Sequence, residues 1–178
     1  MLRNKFNIFL FVMFFVAALP CFLIGEEITG TLSRKSIYFE LLGPGLLYSL
    51  NYDNNFGSAY VGRIGISVYP KLKGDDVDGG VVSFIPITVN YLIRKNERQR
   101  FEIGPGCVIA TEIWKDNNGK WKNVSSILGT VTWYWCYTPK SRGIYYRLGL
   151  TPLFGKDVGD PSSPNMLVTV GAAIGYAF

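Results

Sequence analysis

The last thirteen residues, Met166 to Phe178 (MLVTVGAAIGYAF), constrain the chain more than any other stretch. Counted back in twos, Phe178, Tyr176, Ile174, Ala172, Val170, Val168 and Met166 are all apolar. The alternate set, Ala177, Gly175, Ala173, Gly171, Thr169 and Leu167, is mostly small and carries no charge. A period of two predicts a strand with two unlike faces. The exposed face of a half-buried soluble strand would be charged, and neither face here is. Large apolar residues on one face and small or polar ones on the other fit a barrel wall in contact with lipid. Taken alone, the stretch also fits the last core strand of a soluble sandwich or lipocalin.

The alternation recurs upstream. Ile37, Phe39 and Leu41 share one face, and Leu46, Tyr48, Leu50 and Tyr52 the next. The first set is odd and the second even, so parity flips at Gly43-Pro44-Gly45, which reads as a β-bulge. A phosphate-binding glycine loop would need a following helix, and none is indicated. Asp53-Asn54-Asn55 reads as a turn. Further strands are expected over Tyr60–Tyr69, Val81–Ile93, Phe101–Ile113, Ser126–Tyr137 and Ile144–Leu153. Pro86 cannot donate to a ladder and is expected near a rim or at a bulge. The stretches Pro70–Gly80, Trp114–Ser125 and Phe154–Asn165 read as polar loops. Asp75, Asp76 and Asp78 lack the distal glutamate and flanking helices of a calcium-binding hand. Asn123-Val124-Ser125 matches a glycosylation sequon.

Seven strands with no helix between them, joined by alternating short and long connections, predict an antiparallel meander. The expected fold class is all-β, an antiparallel up-and-down transmembrane β-barrel. An even count is required, so eight strands are expected. The eighth lies either within Glu26–Ser36 or in the Ser36–Tyr52 ribbon, split at its glycines. By parity the inward face holds Glu40, Ser49, Asn51, Arg63, Asn90, Glu102, Glu112 and Arg147. In a narrow barrel these groups must pair or meet water. Glu40, Arg63, Asn90, Glu102, Glu112 and Arg147 are therefore the candidate interior polar network. Arg63 and Arg147 are expected on inward carboxylates, Glu102 and Glu40 foremost. Trp114, Trp133, Trp135, Tyr52, Tyr91, Tyr146, Tyr176 and Phe178 are candidates for interfacial girdles.

Composition supports this reading. Aromatics make up 15% of the 178 residues and charged residues only 17%, below the quarter usual for soluble domains. The sequence has no histidine, which removes His-based catalysis and most zinc chemistry. Of the net charge of +5, Arg3 and Lys5 contribute two units near the start, leaving too little for a nucleic-acid claim. Residues 1–25 read as a signal peptide, with a basic start and an apolar run from Phe6 to Val16. Residues 26–178 are then the barrel domain. An uncleaved anchor and a lipoprotein at Cys21 are competing readings, the second opposed by Pro20. Cys107 and Cys136 fall on opposite faces by parity, so no disulfide is expected.

From about Ser36 onward the chain resembles a family of small, uncharacterised bacterial outer-membrane β-barrel proteins of the eight-stranded type. The stretches LLGPGLLYSLNYD, IPITVNYL, FEIGPG, YYRLGLTPLF and GAAIGYAF carry the resemblance. A chain ending on an aromatic residue resembles the assembly signal of such barrels, with Ile174, Tyr176 and Phe178 as its residues. The resemblance implies location in the outer membrane, contact with the lipid bilayer and engagement with the barrel-assembly machinery. It brings no catalytic motif. A non-enzymatic protein with a structural or surface-interaction role is expected, without cofactor or metal, and monomeric. A narrow-lumen channel or carrier for a small solute and an exported lipocalin-like binder are the alternatives. An acid–base pair of Glu102 and Glu112 is the enzymatic reading, and inward ion pairing explains both residues more simply.

Overall fold

Alternating runs rich in Val, Ile, Tyr, Phe and Trp suit pleated strands, and the strands close on themselves. The computed structural model describes residues 35–56, 59–72, 77–94, 98–116, 118–139, 142–156 and 164–178. The leader, Cys21, Asp75 and Asp76 lie outside them. The strands are β1 (Lys35–Leu41), β2 (Tyr48–Phe56), β3 (Tyr60–Lys71), β4 (Val77–Arg94), β5 (Gln99–Asp116), β6 (Trp121–Tyr137), β7 (Gly143–Lys156) and β8 (Pro164–Ala177). Each pairs antiparallel with its neighbours in sequence, and β8 pairs with β1 to close the barrel.

Register fixes the geometry. From Ile37, successive cross-strand partners are Tyr52, Ile64, Ile87, Cys107, Gly129, Phe154 and Met166. Across the seam Ile37 pairs with Tyr176, so the sheet closes with a stagger of ten residues. Such a stagger on eight strands corresponds to a tilt of about 40°.

The eighth strand comes from splitting the Ser36–Tyr52 ribbon. Gly43-Pro44-Gly45 is the turn between β1 and β2, so the expected bulge is a reversal of the chain. Both features flip parity, which is why the face assignments hold on either side. Asp53, Asn54 and Asn55 lie inside β2, with Asp53 paired to Arg63 in register, and they make no turn. β2 instead continues to Phe56, which pairs with Tyr60. The loops also shrink. β5 and β6 run on through most of Trp114–Ser125, pairing as far as Lys115 with Trp121.

Pro86 sits mid-strand on the inner face, away from both rims, and no bulge accompanies it. The β3–β4 ladder instead skips Gly65 and Ile66 opposite it and resumes in the same register. Pro105 opens a similar gap between β4 and β5, and Pro152 between β6 and β7. Each proline removes a donor, and the ladder yields locally without shifting.

The β1–β2 turn is tucked inward. Gly43, Pro44 and Gly45 are buried, while Leu42 and Leu47 are 53% and 63% exposed. The Gly45 carbonyl accepts the hydroxyls of Ser67, at 3.1 Å, and Tyr69. The Thr169 hydroxyl reaches the Gly43 carbonyl at 3.4 Å. Leu42 and Leu46 take φ of 57° and 67°, a region that disfavours a Cβ. Leu42→Gly is therefore expected to stabilise the barrel by about 1 kcal/mol, because glycine adopts that conformation without strain. A lower urea midpoint for the variant would show that the leucine side chain contributes more than its backbone strain removes.

Candidate functional site

The interior is built from side chains the sequence scatters over five strands. Arg63 on β3 donates from Nε to Asp53 Oδ1 at 2.8 Å and from Nη2 to Asp53 Oδ2 at 2.9 Å. The same Nη2 reaches Glu102 Oε2 on β5 at 2.7 Å. Arg100 holds the other Glu102 oxygen at 2.9 Å. Arg147 on β7 donates to Glu40 Oε1 on β1 at 2.8 Å and lies 4.0 Å from both Asp53 Oδ2 and Glu102 Oε2. Three guanidinium groups thus face three carboxylates, and the group is neutral as a whole. Burying ions is tolerable only when they are paired and hydrogen-bonded.

Aromatic rings frame this ionic group. The Arg147 guanidinium lies 3.8 Å from the Tyr134 ring centroid and 4.5 Å from that of Tyr38. Tyr38 also donates its hydroxyl to Asp53 Oδ1 at 2.9 Å. Room for such large groups comes from small neighbours. A Cβ at Gly149 would strike the Trp133 carbonyl and the Tyr134 ring, and one at Gly175 the Ile37 carbonyl and Tyr38. Small residues of β7 and β8 thus leave the space that these two tyrosines fill.

A hydroxyl and amide layer follows. Asn51 donates to Ser49 Oγ at 2.8 Å, and Tyr134 and Thr151 share a hydrogen bond of 2.7 Å. Asn90 is fully buried here, accepting from Thr132 Oγ1 at 2.7 Å and touching no ion by hydrogen bond. Glu112 stands apart. It has inward parity but sits where β5 outruns the closed section, half-buried, and it pairs with Lys71 at 2.8 Å. Lys71 in turn covers the Trp114 ring at 4.5 Å, so Trp114 is on the inner side of the rim and not in an outer girdle. Sequence reasoning missed Asp53 and Arg100. Asp53 shares the parity of Ser49 and Asn51, and Arg100 lies two residues before Glu102; that spacing was the available signal. Cys107 and Cys136 are free, and only Cys136 is buried.

The outside is the reverse of the inside. Ile64, Leu148, Leu150, Val170 and Ile174 are among many exposed large apolar residues. On β6 the outward band runs from Tyr137 to Ile127, which at ~3.3 Å per residue and this tilt spans about 25 Å. Beyond the row Ile85, Ile109 and Ile127 comes a polar row, Ser83, Thr111 and Ser125. At the end where Lys35 bonds to Phe178, Tyr60 packs on Tyr91 at 5.6 Å, and Tyr137 stacks on Tyr146 at 4.7 Å. Tyr176 and Phe178 are exposed at that same end, with Ile174 next along the outer face. Trp133 pairs with Leu150 in the middle of the band and so lies away from either boundary.

This architecture is similar to that of solved barrels. The N-terminal β-barrel domain of Pseudomonas aeruginosa OprF superposes with a TM-score of 0.53 at 12% identity, over 83% of this chain and 100% of that one. Ail, the attachment invasion locus protein of Yersinia pestis, solved with the heparin analogue sucrose octasulfate, aligns at 0.48 and 14% identity, over 81% of this chain and 97% of its own. No protein-family model and no curated protein matches the sequence. At such identities the likeness to the OprF domain is one of fold: a closed, eight-stranded antiparallel barrel.

Proposed function

We propose that the chain is an integral outer-membrane β-barrel protein without enzymatic chemistry, with a structural or surface-interaction role in the cell envelope. One observation carries this reading: the ions lie inside as a neutral group, while the surface is a continuous apolar band of bilayer height. Water would favour the opposite arrangement, so a soluble lipocalin-like binder fits poorly. The interior network is structural, and its carboxylates are held by arginines, or at Glu112 by Lys71, rather than left free for proton transfer. Ile174, Tyr176 and Phe178, outward on the last strand, serve as the signal to the barrel-assembly machinery after the leader directs export. The barrel acts as a monomer.

The surface role falls to the strands that outrun the band. Trp121 is 69% exposed at the β5–β6 tip, flanked by Lys115, Lys120 and Lys122. Asp116 fixes that tip, accepting the backbone N–H groups of Lys120 at 2.9 Å and Asn118 at 3.0 Å. These bonds, that of Lys120 foremost, hold its carboxyl below the usual carboxylate range.

Gel migration of the outer-membrane fraction tests the reading. The folded protein is expected to run at a different apparent size before boiling than after. Recovery in the detergent-free soluble fraction would overturn it. In planar bilayers no steady conductance is expected, because the ionic group blocks the lumen. Steady single channels would move the assignment to a narrow channel.

A further inference from the structure

Above the hydroxyl layer the inner face becomes mostly apolar, with Ser126 beside Ala110 as an exception. Phe84, Val108, Ala110, Leu128, Leu153 and Leu167 all have the inward parity of their strands. Val108 and Leu153 are buried at the base, and Leu167 is exposed. A water-filled mouth would be lined by charge at this level. Among the described inward residues, ions return at the Lys71–Glu112 pair on the rim and, farther out, at Lys122–Asp116.

The wall beside this apolar mouth is broken. The last β1 residue paired to β8 is Leu41, opposite Ala172, so residues 164–171 of β8 have no strand partner on that side among the described residues. On the other flank the last β2–β3 pair is Leu50 with Ile66, leaving residues 67–71 of β3 unpaired with β2. The opening is two strands wide, about 10 Å, with the β1–β2 turn as its sill. Outward residues of β8 above the sill, Met166, Val168 and Val170, are still apolar and exposed. The sill therefore lies within the lipid-facing band.

The sill hides its polar groups. Its carbonyls at Gly43 and Gly45 turn inward to Thr169, Ser67 and Tyr69. The N–H groups of Leu42 and Leu46 bond within the turn at 3.1 and 2.9 Å. The Tyr48 hydroxyl donates to the Val68 carbonyl on the freed edge of β3. Exposed Leu42 and Leu47 are what remains facing outward.

We propose that the apolar mouth receives one acyl chain of a membrane lipid, admitted sideways over the β1–β2 turn. The occupant follows from continuity: on the β8–β3 side the mouth meets the outside through a gap bordered by the surface that faces acyl tails. The gap suits a hydrocarbon chain and is too narrow for a folded domain. This inference rests on the membrane reading above, and the test separates the two. The protein is reconstituted in phosphatidylcholine vesicles containing a phosphatidylcholine with a diazirine at the end of one acyl chain. After illumination, adducts are mapped by peptide mass spectrometry. Adducts on outward Leu148 and Leu150 report membrane insertion, and adducts on inward Leu128, Leu153 or Leu167 report the occupied mouth. Outward adducts without inward ones overturn the acyl-chain site and leave the membrane barrel standing. No outward adducts would overturn both. Ala110→Trp, which fills the mouth, is expected to abolish inward labelling and keep the outward. Should it fail the boiling-dependent gel shift, Leu167→Asn at the exposed edge of the opening is expected to lower inward labelling instead. Unchanged inward labelling in a folded variant counts against the site.

Discussion

Arg147→Met is expected to destabilise the barrel by about 3–5 kcal/mol, the usual penalty for leaving one member of a buried ion pair alone. Glu40 would keep only a long contact to Asn51, at 3.4 Å, in place of its 2.8 Å bond to the guanidinium. The loss extends further, because Arg147 also lies between the Tyr38 and Tyr134 rings and within 4.0 Å of Asp53 and Glu102. Adding Glu40→Gln to the same chain removes the orphaned charge and is expected to restore a large part of the stability. Urea unfolding in phospholipid vesicles, followed by tryptophan fluorescence and gel migration, measures both variants. A single variant within ~0.5 kcal/mol of the parent, the range of an ordinary surface change, would mean that the pair contributes nothing to the closed ring.

Leu150→Arg carries the second large effect. Leu150 is exposed and pairs with Trp133 and Val170 in the middle of the outer band. At bilayer midplane a guanidinium costs about 2–4 kcal/mol, falling to about 0–1 near the interface. Ile127→Arg, one row below the polar serines and threonines, is the matched control. The expected result is a clear loss for the first and little for the second. Equal, negligible losses at both positions would be the behaviour of a water-facing surface and would remove the membrane from the account.

The faces of the strands were legible because side-chain alternation is a local property. Glu40, Arg63, Glu102 and Arg147 could be placed on one side by counting alone. Their partners could not all be found that way. Asp53 was hidden by its neighbours, since Asp-Asn-Asn favours turns in isolation, and the pairing of β2 with both β1 and β3 overrides that preference. Arg100 was masked by the basic run that precedes it. Glu112 was placed on the correct face but at the wrong height, because parity says nothing of where a strand leaves the closed section. Gly43-Pro44-Gly45 and Gly104-Pro105-Gly106 look alike in sequence, yet one reverses the chain and the other continues a strand. The difference is tertiary: the first is held by Ser67, Tyr69 and Thr169, the second by close packing on Thr88 and Asn90.

The neutrality of the six central ions is completed only in the finished ring: Asp53 pairs with Arg63 across β2 and β3 and Arg100 with Glu102 along β5, but Glu40 and Arg147 meet only on closure. Glu40 is on the first strand and Arg147 on the seventh, while Arg63 on the third bridges to Glu102 on the fifth. An unclosed sheet lying in hydrocarbon would leave the Glu40 carboxylate and the Arg147 guanidinium bare near its two edges. For the membrane protein proposed above, passage into the bilayer and joining of the two ends are therefore expected to proceed as one event, with Glu40 and Arg147 shielded from acyl tails until the seam between β1 and β8 is made.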